Sequence, residues 1–116
     1  MKHPVNGRKL RQFEISFFGS KIIVYVAPML YANGNLALKV YSLEQEYQDY
    51  EPFGVLTVNL EHQLQSDDRA FVKTYSENEE WAEELAGQIG EYSGVTARSG
   101  YVSLPLYRFD TDKCYL

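Results

Sequence analysis

Two short segments near the start of the chain alternate between apolar and polar residues, with the period of two that is typical of β-strands. Residues 12–17 show the alternation clearly, and residues 21–26 continue it with β-branched side chains. Because Gly19 and the serine after it separate the two segments, we predict a β-hairpin with one buried face. Pro28 follows, and since proline cannot donate a backbone hydrogen bond, we expect the second strand to end there.

The same alternation recurs further along the chain and predicts more strands. These predicted strands cover residues 36–41, 55–60, 70–75 and 101–109. The pair Asn33-Gly34 predicts the turn before the first of them, since both residues tolerate a positive φ. Residues 43–53 lack the alternation and end near Pro52, so we expect a connecting loop there. Pro105 places the last strand at a sheet edge or a bulge.

One helix is predicted after residue 75. Ser76 and Glu79 have the spacing of a capping box, in which each side chain satisfies a free backbone amide at the start of a helix. Gly90 and Gly94 predict the end of this helix. Its apolar side chains recur with helical spacing and form a single stripe: Trp81, Ala82, Leu85, Ala86 and Ile89.

The order of these elements, strands followed by one helix and a last strand, predicts an α+β fold. We expect a mainly antiparallel sheet of about five to six strands with the amphipathic helix packed on one face. Residues 1–9 are polar and contain a proline and a glycine, so we predict a flexible leader. Residues 10–116 then form a single domain, because a chain of 116 residues has the usual size of one domain.

The charge is unevenly distributed along the chain. The formal net charge is −5, but residues 43–91 hold thirteen acids against Arg69 and Lys73 only, whereas the remainder holds nine bases and three acids. Glutamates also lie four residues apart on the predicted helix, where like charges repel. The pattern is compatible with a solvated face, and it is also compatible with a docking surface for a basic partner.

Tyrosines interrupt the acidic segment and suggest a protein interface, because they supply a large contact area at low entropic cost. The candidate partner-binding residues are Tyr47, Tyr50, Glu77, Glu80 and Glu84. The favoured function is therefore a non-catalytic protein-interaction module. The alternative is an anti-restriction or DNA-mimic protein, which would present the acidic segment to a DNA-binding enzyme. The acidic tyrosine segment carries no Arg or Lys between its rings, so direct nucleic-acid binding is disfavoured.

Enzymatic and cofactor chemistry has little support. The chain has no phosphate-binding loop, HExxH or CxxC motif, and we predict no cofactor and no bound metal. His62 lies in a polar stretch without a recognisable triad. Asp67-Asp68 and the Asp110/Asp112 pair do not continue into a calcium-loop ligand series. Cys114 is the single cysteine, which favours a reducing compartment, and we expect a cytoplasmic location with no membrane contact.

Short motifs in the second half of the chain resemble an uncharacterised family of small proteins encoded on conjugative transposons and plasmids of gut Gram-positive bacteria. The motifs are Asn59-Leu60, Asp68-x-Ala70-Phe71-Val72-x-Thr74, Trp81-Ala82-Glu83-Glu84, Ser99-Gly100-Tyr101 and Leu104-Pro105-Leu106-Tyr107-Arg108-Phe109. The resemblance covers about half of the chain. It implies a cytoplasmic accessory protein of a mobile element, with no catalytic residues to assign.

Overall fold

The computed structural model describes residues 1–44, 49–60 and 66–116. In this part of the chain, eight strands and one α-helix follow one another. Their bounds are β1 (Gln12–Phe17), β2 (Ser20–Leu30), β3 (Leu36–Glu44), β4 (Asp49–Val55), β5 (Thr57–Val58), β6 (Arg69–Val72), α1 (Ala82–Ile89), β7 (Gly90–Ser99) and β8 (Val102–Phe109). Two short 3₁₀ helices, Ser76–Asn78 and Thr111–Cys114, precede α1 and follow β8.

The strands form two antiparallel sheets, so the predicted α+β class is confirmed. Sheet 1 has the order β1-β2-β3-β4 and sheet 2 the order β5-β6-β8-β7. Among the described residues the strands therefore number eight in two sheets, where the sequence predicts five to six in one. The chain crosses from sheet 1 to sheet 2 at Leu56, whose N–H donates to the carbonyl of Leu38 in β3.

The predicted β1–β2 hairpin is present, with Phe17 opposite Ser20. Its two loop residues are Phe18 and Gly19, which have φ values of 47° and 81°. Two consecutive positive φ values are the geometry of a type I′ turn, whose twist matches that of the strands it joins. The turn between β2 and β3 also lies where predicted, and Gly34 has a φ of 86°.

Pro28 does not end β2, which continues to Leu30 with Pro28 opposite Leu38. The carbonyl of Pro28 accepts a hydrogen bond from Nε2 of His3 at 2.6 Å. The N and O atoms of one residue in an antiparallel strand point to the same side, so the missing N–H also faces His3 rather than β3. Since β1 pairs with β2 only as far as Tyr25, the proline removes no bond from the sheet.

Residues 43–53 are not a loop, because β3 extends to Glu44 and β4 begins at Asp49. Pro52 is compatible with β4, which forms an edge of sheet 1. The predicted strand 55–60 is divided between the sheets. Thr57 is a polar position of the alternation in residues 55–60, yet it is buried. Its Oγ1 accepts a hydrogen bond from the N–H of Leu38 at 3.2 Å. The tertiary contact between the sheets thus overrides the local alternation.

The helix begins at Ala82, six residues after the predicted cap. Ser76 has a φ of 58° and lies in a 3₁₀ turn, where its side chain accepts no capping bond. Two side chains fix this turn instead. Asn78 is buried and donates from Nδ2 to the carbonyl of Val55 at 2.7 Å, while the indole N–H of Trp81 donates to the Glu77 carbonyl at 3.0 Å. The capping-box prediction is therefore wrong.

Gly90 ends the helix as predicted, but for a different reason. It is extended, with a φ of −156°, and is the first residue of β7. A Cβ atom at this position would lie 2.2 Å from the carbonyl oxygen of Arg108, so the backbone of β8 requires glycine. Gly94 has no part in the helix end. It has a φ of 88° and lies where the β7–β8 register shifts.

The main core joins both sheets to α1. The stripe of Trp81, Leu85 and Ile89 is buried, as predicted, and packs with the inner face of sheet 1. The inner face of sheet 1 consists of Phe13, Ile15, Phe17, Val24, Val26, Leu36, Leu38 and Val40. A second, smaller cluster lies on sheet 2, around Phe71, Leu104 and Leu106.

Residues 1–9, predicted to be a flexible leader, are folded against the sheet in the structure. Lys2 and Lys9 form an antiparallel bridge, and His3 is only 4% exposed. Nδ1 of His3 accepts hydrogen bonds from the N–H groups of Val5 and Asn6 at 3.1 and 3.2 Å. Because Nδ1 is an acceptor, Nε2 carries the proton that is donated to Pro28. A neutral imidazole thus attaches this segment to β2.

Candidate functional site

The predicted acidic helix face contacts the chain's own edge strand. Oε2 of Glu80 accepts a hydrogen bond from the N–H of Phe18 at 2.9 Å. Oε1 of Glu84 accepts one from the N–H of Ser16 at 2.6 Å. Gln88 follows on the same side and donates from Nε2 to the carbonyl of Glu14 at 3.0 Å. Because β1 is an edge of sheet 1, these three side chains form hydrogen bonds with backbone groups that have no partner in a neighbouring strand.

The spacing of these three side chains matches the spacing of the strand. Four residues advance a helix by about 6 Å, and two residues advance a strand by about 6.6 Å. Glu84 and Gln88, four apart on α1, therefore meet backbone groups two apart on β1, at Ser16 and Glu14. Glu80, in the turn before α1, meets the next free group, the N–H of Phe18. Residue type follows the same logic, since glutamates meet N–H groups while Gln88, which can donate, meets a carbonyl.

Glu77 also has an internal partner. Its carboxylate lies 2.5 Å from Nζ of Lys73, four residues earlier. The hydrogen bond from Lys73, supported by Ser76, lowers the pKa of Glu77 to about 2. Glu79 and Glu83 are exposed, and their carboxylates form no hydrogen bond or ion pair with another described residue. The three acids predicted to bind a partner, Glu77, Glu80 and Glu84, thus each have an internal partner.

Tyr50 is separated from the helix acids, and the predicted residues do not form one surface. It lies on β4, and the sheet order places β4 at the opposite edge of sheet 1 from β1. Tyr47 lies outside the described residues. The structure therefore brings Glu80 and Glu84 together along β1, places Glu77 beside Lys73, and assigns Tyr50 to a different region.

Tyr50 belongs to a group of apolar side chains on the side of sheet 1 that faces away from the helix. The strand register aligns Tyr25 with Tyr41 and Leu43 with Tyr50, and Ile23 shares their face. Trp81 packs on the other side, within 3.1 Å of the position a Cβ on Gly54 would take. We refer to Ile23, Tyr25, Tyr41, Leu43 and Tyr50 as the outer face of sheet 1.

The outer face is fixed at its centre and exposed around it. The rings of Tyr25 and Tyr50 meet edge to face, with centroids 5.2 Å apart, and the Tyr25 hydroxyl accepts a hydrogen bond from Nε2 of Gln12. Partial burial, together with the neighbouring Tyr25 hydroxyl, raises the pKa of Tyr50. Ile23 is 40% exposed and Tyr50 38% exposed, while Tyr41 and Leu43 are half-buried.

A cleft of about 540 Å³ opens beside this face. Pairing between β2 and β3 ends at Val24 and Ser42, although both strands continue beyond that point. The two hairpins separate there, and their side chains line the opening: Phe17, Ile22, Ile23, Leu43 and Phe53 on both sides, with Lys21 and Gln12 among the polar ones. The outer face is therefore an uneven apolar surface with a recess, rather than a flat sheet.

Sequence reasoning missed Ile23 and Leu43 as surface residues. The available signal is the near-continuous apolar run in residues 22–26, since strands with apolar residues at successive positions have two apolar faces. The alternation alone identifies only the face that packs on the helix.

Cys114 and His3, two residues with side chains of catalytic type, have structural surroundings. Cys114 is buried, and burial, with Asp110 nearby, raises the pKa of its thiol to about 12. A thiol with such a pKa is protonated at neutral pH and is a poor nucleophile. His3 uses both ring nitrogens in structural hydrogen bonds. His62 lies outside the described residues.

The candidate carboxylate pairs have structural partners. Asp68 accepts a hydrogen bond from Ser66 at 2.6 Å, and this bond lowers the pKa of Asp68, with Arg69 and Arg108 adding to the effect. Asp110 accepts the N–H of Asp112. Within residues 1–44, 49–60 and 66–116, no group of three or more His, Cys, Asp and Glu side chains is placed to bind a metal ion. No helix in the described part of the chain is long and apolar enough to span a bilayer.

Comparison with known proteins identifies the family of the chain. No curated protein matches the chain, and no solved structure matches it. A family model described as a domain of unknown function (DUF4313) matches residues 28–115, which include every strand from β3 to β8, helix α1 and most of the outer face. The chain therefore belongs to the DUF4313 family of domains of unknown function.

Proposed function

We propose that this protein is a non-catalytic protein-interaction module and that the outer face of sheet 1 is its binding surface. The observation that supports the proposal is the exposure of apolar and aromatic side chains on a sheet face that the helix does not cover. Ile23 and Tyr50 are exposed at the surface, Tyr41 and Leu43 lie half-buried beside them, and the recess next to Leu43 can receive a side chain from a partner.

The chemistry of this face is that of an interface core. Tyrosines and aliphatic residues on a rigid sheet lose little conformational entropy on binding. The T-shaped contact of Tyr25 and Tyr50 holds the exposed ring in place before a partner arrives. Contiguous apolar groups on a surface commonly mark interaction sites, and side chains of this type provide most of the binding energy in protein complexes.

The charges beside the face favour a basic partner. Asp49 and Glu51 are exposed on β4 at the rim of the outer face, and neither forms an ion pair with another described residue. An apolar patch with an adjacent acidic edge fits a partner surface that has apolar side chains in the middle and Lys or Arg at one border. The acidic residues proposed to contact the partner are therefore Asp49 and Glu51 on β4, rather than the glutamates of the helix.

A DNA-mimic function has less support from the contacts. Mimicry needs rows of carboxylates that are available to a DNA-binding enzyme. Glu80 and Glu84 instead accept backbone hydrogen bonds, and Glu77 contacts Lys73. We therefore retain the interaction module as the proposal. An accessory role in a mobile element, in the cytoplasm, is its cellular context, and the sequence resemblance alone supports that context.

The proposal is tested by partner capture with a double variant of the outer face. Tagged wild-type protein and the Ile23→Ser/Tyr50→Ala variant are used to capture proteins from a lysate of the native host, followed by quantitative mass spectrometry. We expect at least one protein to be enriched by the wild type and to lose most of its enrichment, about tenfold or more, with the variant, since two hot-spot side chains each contribute about 1–2 kcal/mol.

A matched control is available on sheet 2. Tyr92 and Val95 are 49% and 52% exposed on β7, so Val95→Ser/Tyr92→Ala removes equivalent side chains from the other sheet. This control is expected to capture the same protein as the wild type. Equal capture by all three proteins would exclude the outer face as the binding surface, provided that their thermal unfolding midpoints agree.

A further inference from the structure

The fold gathers basic residues that are far apart in the sequence. Lys2 lies directly opposite Lys9 in an antiparallel bridge. Arg11 donates its backbone N–H to the carbonyl of Cys114 at 2.8 Å, which brings Lys113 alongside, and both residues line the same depression. Arg8 lies over the ring of Tyr115, 3.8 Å from its centroid. We refer to Lys2, Arg8, Lys9, Arg11 and Lys113 as the basic cluster.

The bases of the cluster are exposed, and none of them forms an ion pair with a described residue. All five side chains are at the surface. The ion pairs that form among the described residues involve other bases, namely Lys21, Lys73 and Arg108. Lys113 lines a second depression with Asp68, Glu91 and Asp110, and neither these acids nor Asp112 form an ion pair with the cluster. A chain with a net charge of −5 thus places five unpaired bases on neighbouring segments.

Part of the cluster forms a row. Lys9 and Arg11 are exposed at alternate positions of an extended segment, while Leu10 between them is buried in the core. Residues two apart in an extended chain are about 6.6 Å apart. Lys2 lies beside this row through its bridge to Lys9, and Lys113 lies beside Arg11. Stacking on Tyr115 restricts the guanidinium of Arg8, so its N–H groups are already oriented.

The repulsion within the cluster has no internal compensation. Like charges directly opposite each other in a strand pair destabilise the pairing. The repulsion between Glu80 and Glu84 is compensated, because both carboxylates accept hydrogen bonds from the backbone at Phe18 and Ser16. Lys2 and Lys9 have no such contact. A destabilising feature with no compensating contact within the fold is typical of a binding site.

We infer that the basic cluster binds the phosphodiester backbone of a nucleic acid. A linear row of cations matches a linear array of phosphates, and a stacked arginine with two flanking lysines provides both oriented and mobile donors. The contacts are to phosphates, so binding is independent of base sequence. This site is separate from the outer face of sheet 1, and its test does not depend on the proposed protein partner.

The test measures binding of a fluorescently labelled 20-nucleotide single-stranded DNA of mixed sequence by anisotropy at 50 and 200 mM NaCl. Five phosphate contacts give a slope of log affinity against log salt of about −3.5. The affinity is therefore expected to fall by about 100-fold between the two salt concentrations. Neutralising three bases in the variant Lys2→Gln/Lys9→Gln/Arg11→Gln should reduce the slope by about 2 and weaken binding at 50 mM NaCl more than tenfold. Arg8 is left in place because its contact with Tyr115 contributes to packing.

The matched control changes the net charge equally at other sites. Lys21→Gln/Lys39→Gln/Arg98→Gln removes three exposed bases outside the cluster and is expected to retain wild-type affinity and slope. Equal weakening in the two triple variants would contradict the inference, because it would show a response to net charge alone. Absence of binding by the wild type at 50 mM NaCl would also contradict it. So would binding to vesicles containing phosphatidylserine without binding to the oligonucleotide, since a lipid surface would then be the ligand.

Discussion

Two glycines at the end of the helix have opposite surroundings, three residues apart. Gly90 lies against the backbone of β8, where an added Cβ would be 2.2 Å from the Arg108 carbonyl oxygen and 2.9 Å from Cα of Phe109. Gly87 is on the exposed side of α1, where an added Cβ would meet nothing within 4 Å. One glycine is required by a close approach of two backbones, whereas the other only weakens the helix.

Alanine substitution at these two positions should therefore have effects of opposite sign. Gly87→Ala is expected to increase the free energy of unfolding by about 0.5–1 kcal/mol, because alanine restricts the unfolded chain and favours the helix. Gly90→Ala is expected to lower it by about 1–3 kcal/mol or more, because the clash involves backbone atoms that cannot rotate away. Urea unfolding monitored by the fluorescence of Trp81 measures both values. An unchanged free energy of unfolding in Gly90→Ala would show that β7 and β8 are further apart than in the structure.

Glu77 gives a pH dependence whose direction is fixed by its contact with Lys73. Its pKa of about 2 in the folded chain lies below the ordinary value of 4.5, so the carboxylate stabilises the fold above pH 4.5. This contribution decreases as the pH falls from 4.5 towards 2. In the Lys73→Ala variant the pKa of Glu77, measured by NMR titration of its side-chain carboxyl carbon, is expected to rise towards the ordinary value. The Lys21→Ala variant, which removes a base paired with Glu14, should leave it unchanged. The same low pKa in Lys73→Ala would argue against this account of the shift.

At the scale of elements, α1 and the turn before it have two sides with different contacts. Trp81, Leu85 and Ile89 pack into the core, and Glu80, Glu84 and Gln88 lie along β1. The first side was predictable, because apolar residues at helical spacing form a stripe that packs against a core. The second was not, since the like-charged pair at residues 80 and 84 is unfavourable within an isolated helix and becomes favourable only beside an edge strand.

The boundaries of the elements show where local signals are insufficient. The capping box at Ser76 is a valid pattern, but the buried amide of Asn78 and the indole of Trp81 hold that turn in another conformation. Strand β7 was missed because its side chains are largely exposed on both faces, as at Tyr92 and Val95, so no alternation marks it. Pro28 and Pro105 lie inside strands because each has a paired strand on one side only. The β1–β2 pairing ends at Tyr25, before Pro28, and the β6–β8 pairing ends at Leu106, next to Pro105.

At the scale of the whole molecule, the helix connects the two sheets. It runs along the edge of sheet 1 through its polar side chains and continues without a loop into β7 of sheet 2. The arrangement covers the β1 edge and the inner face of sheet 1. The helix does not cover the outer face, where Ile23 and Tyr50 are exposed.

The distribution of charge also becomes clear only at this scale. The acidic segment is partly used within the fold, through Glu77, Glu80 and Glu84. The dispersed bases of residues 2–11 gain a neighbour from residue 113, more than a hundred positions away, and form one cluster. Local periodicity in the sequence was sufficient to predict the α+β class and the main core. It could not identify surfaces that depend on contacts between distant segments.

Glu80 and Glu84 close the edge of sheet 1 instead of serving as a free acidic surface. Amide hydrogen exchange at Ser16 and Phe18, followed by NMR, tests this closure most directly. In the Glu80→Ala/Glu84→Ala variant both amides should exchange at least about tenfold faster than in the wild type, corresponding to a loss of about 1–3 kcal/mol in local stability. The matched variant Glu79→Ala/Glu83→Ala should leave them protected. Unchanged exchange at Ser16 and Phe18 after removal of Glu80 and Glu84 would contradict the account.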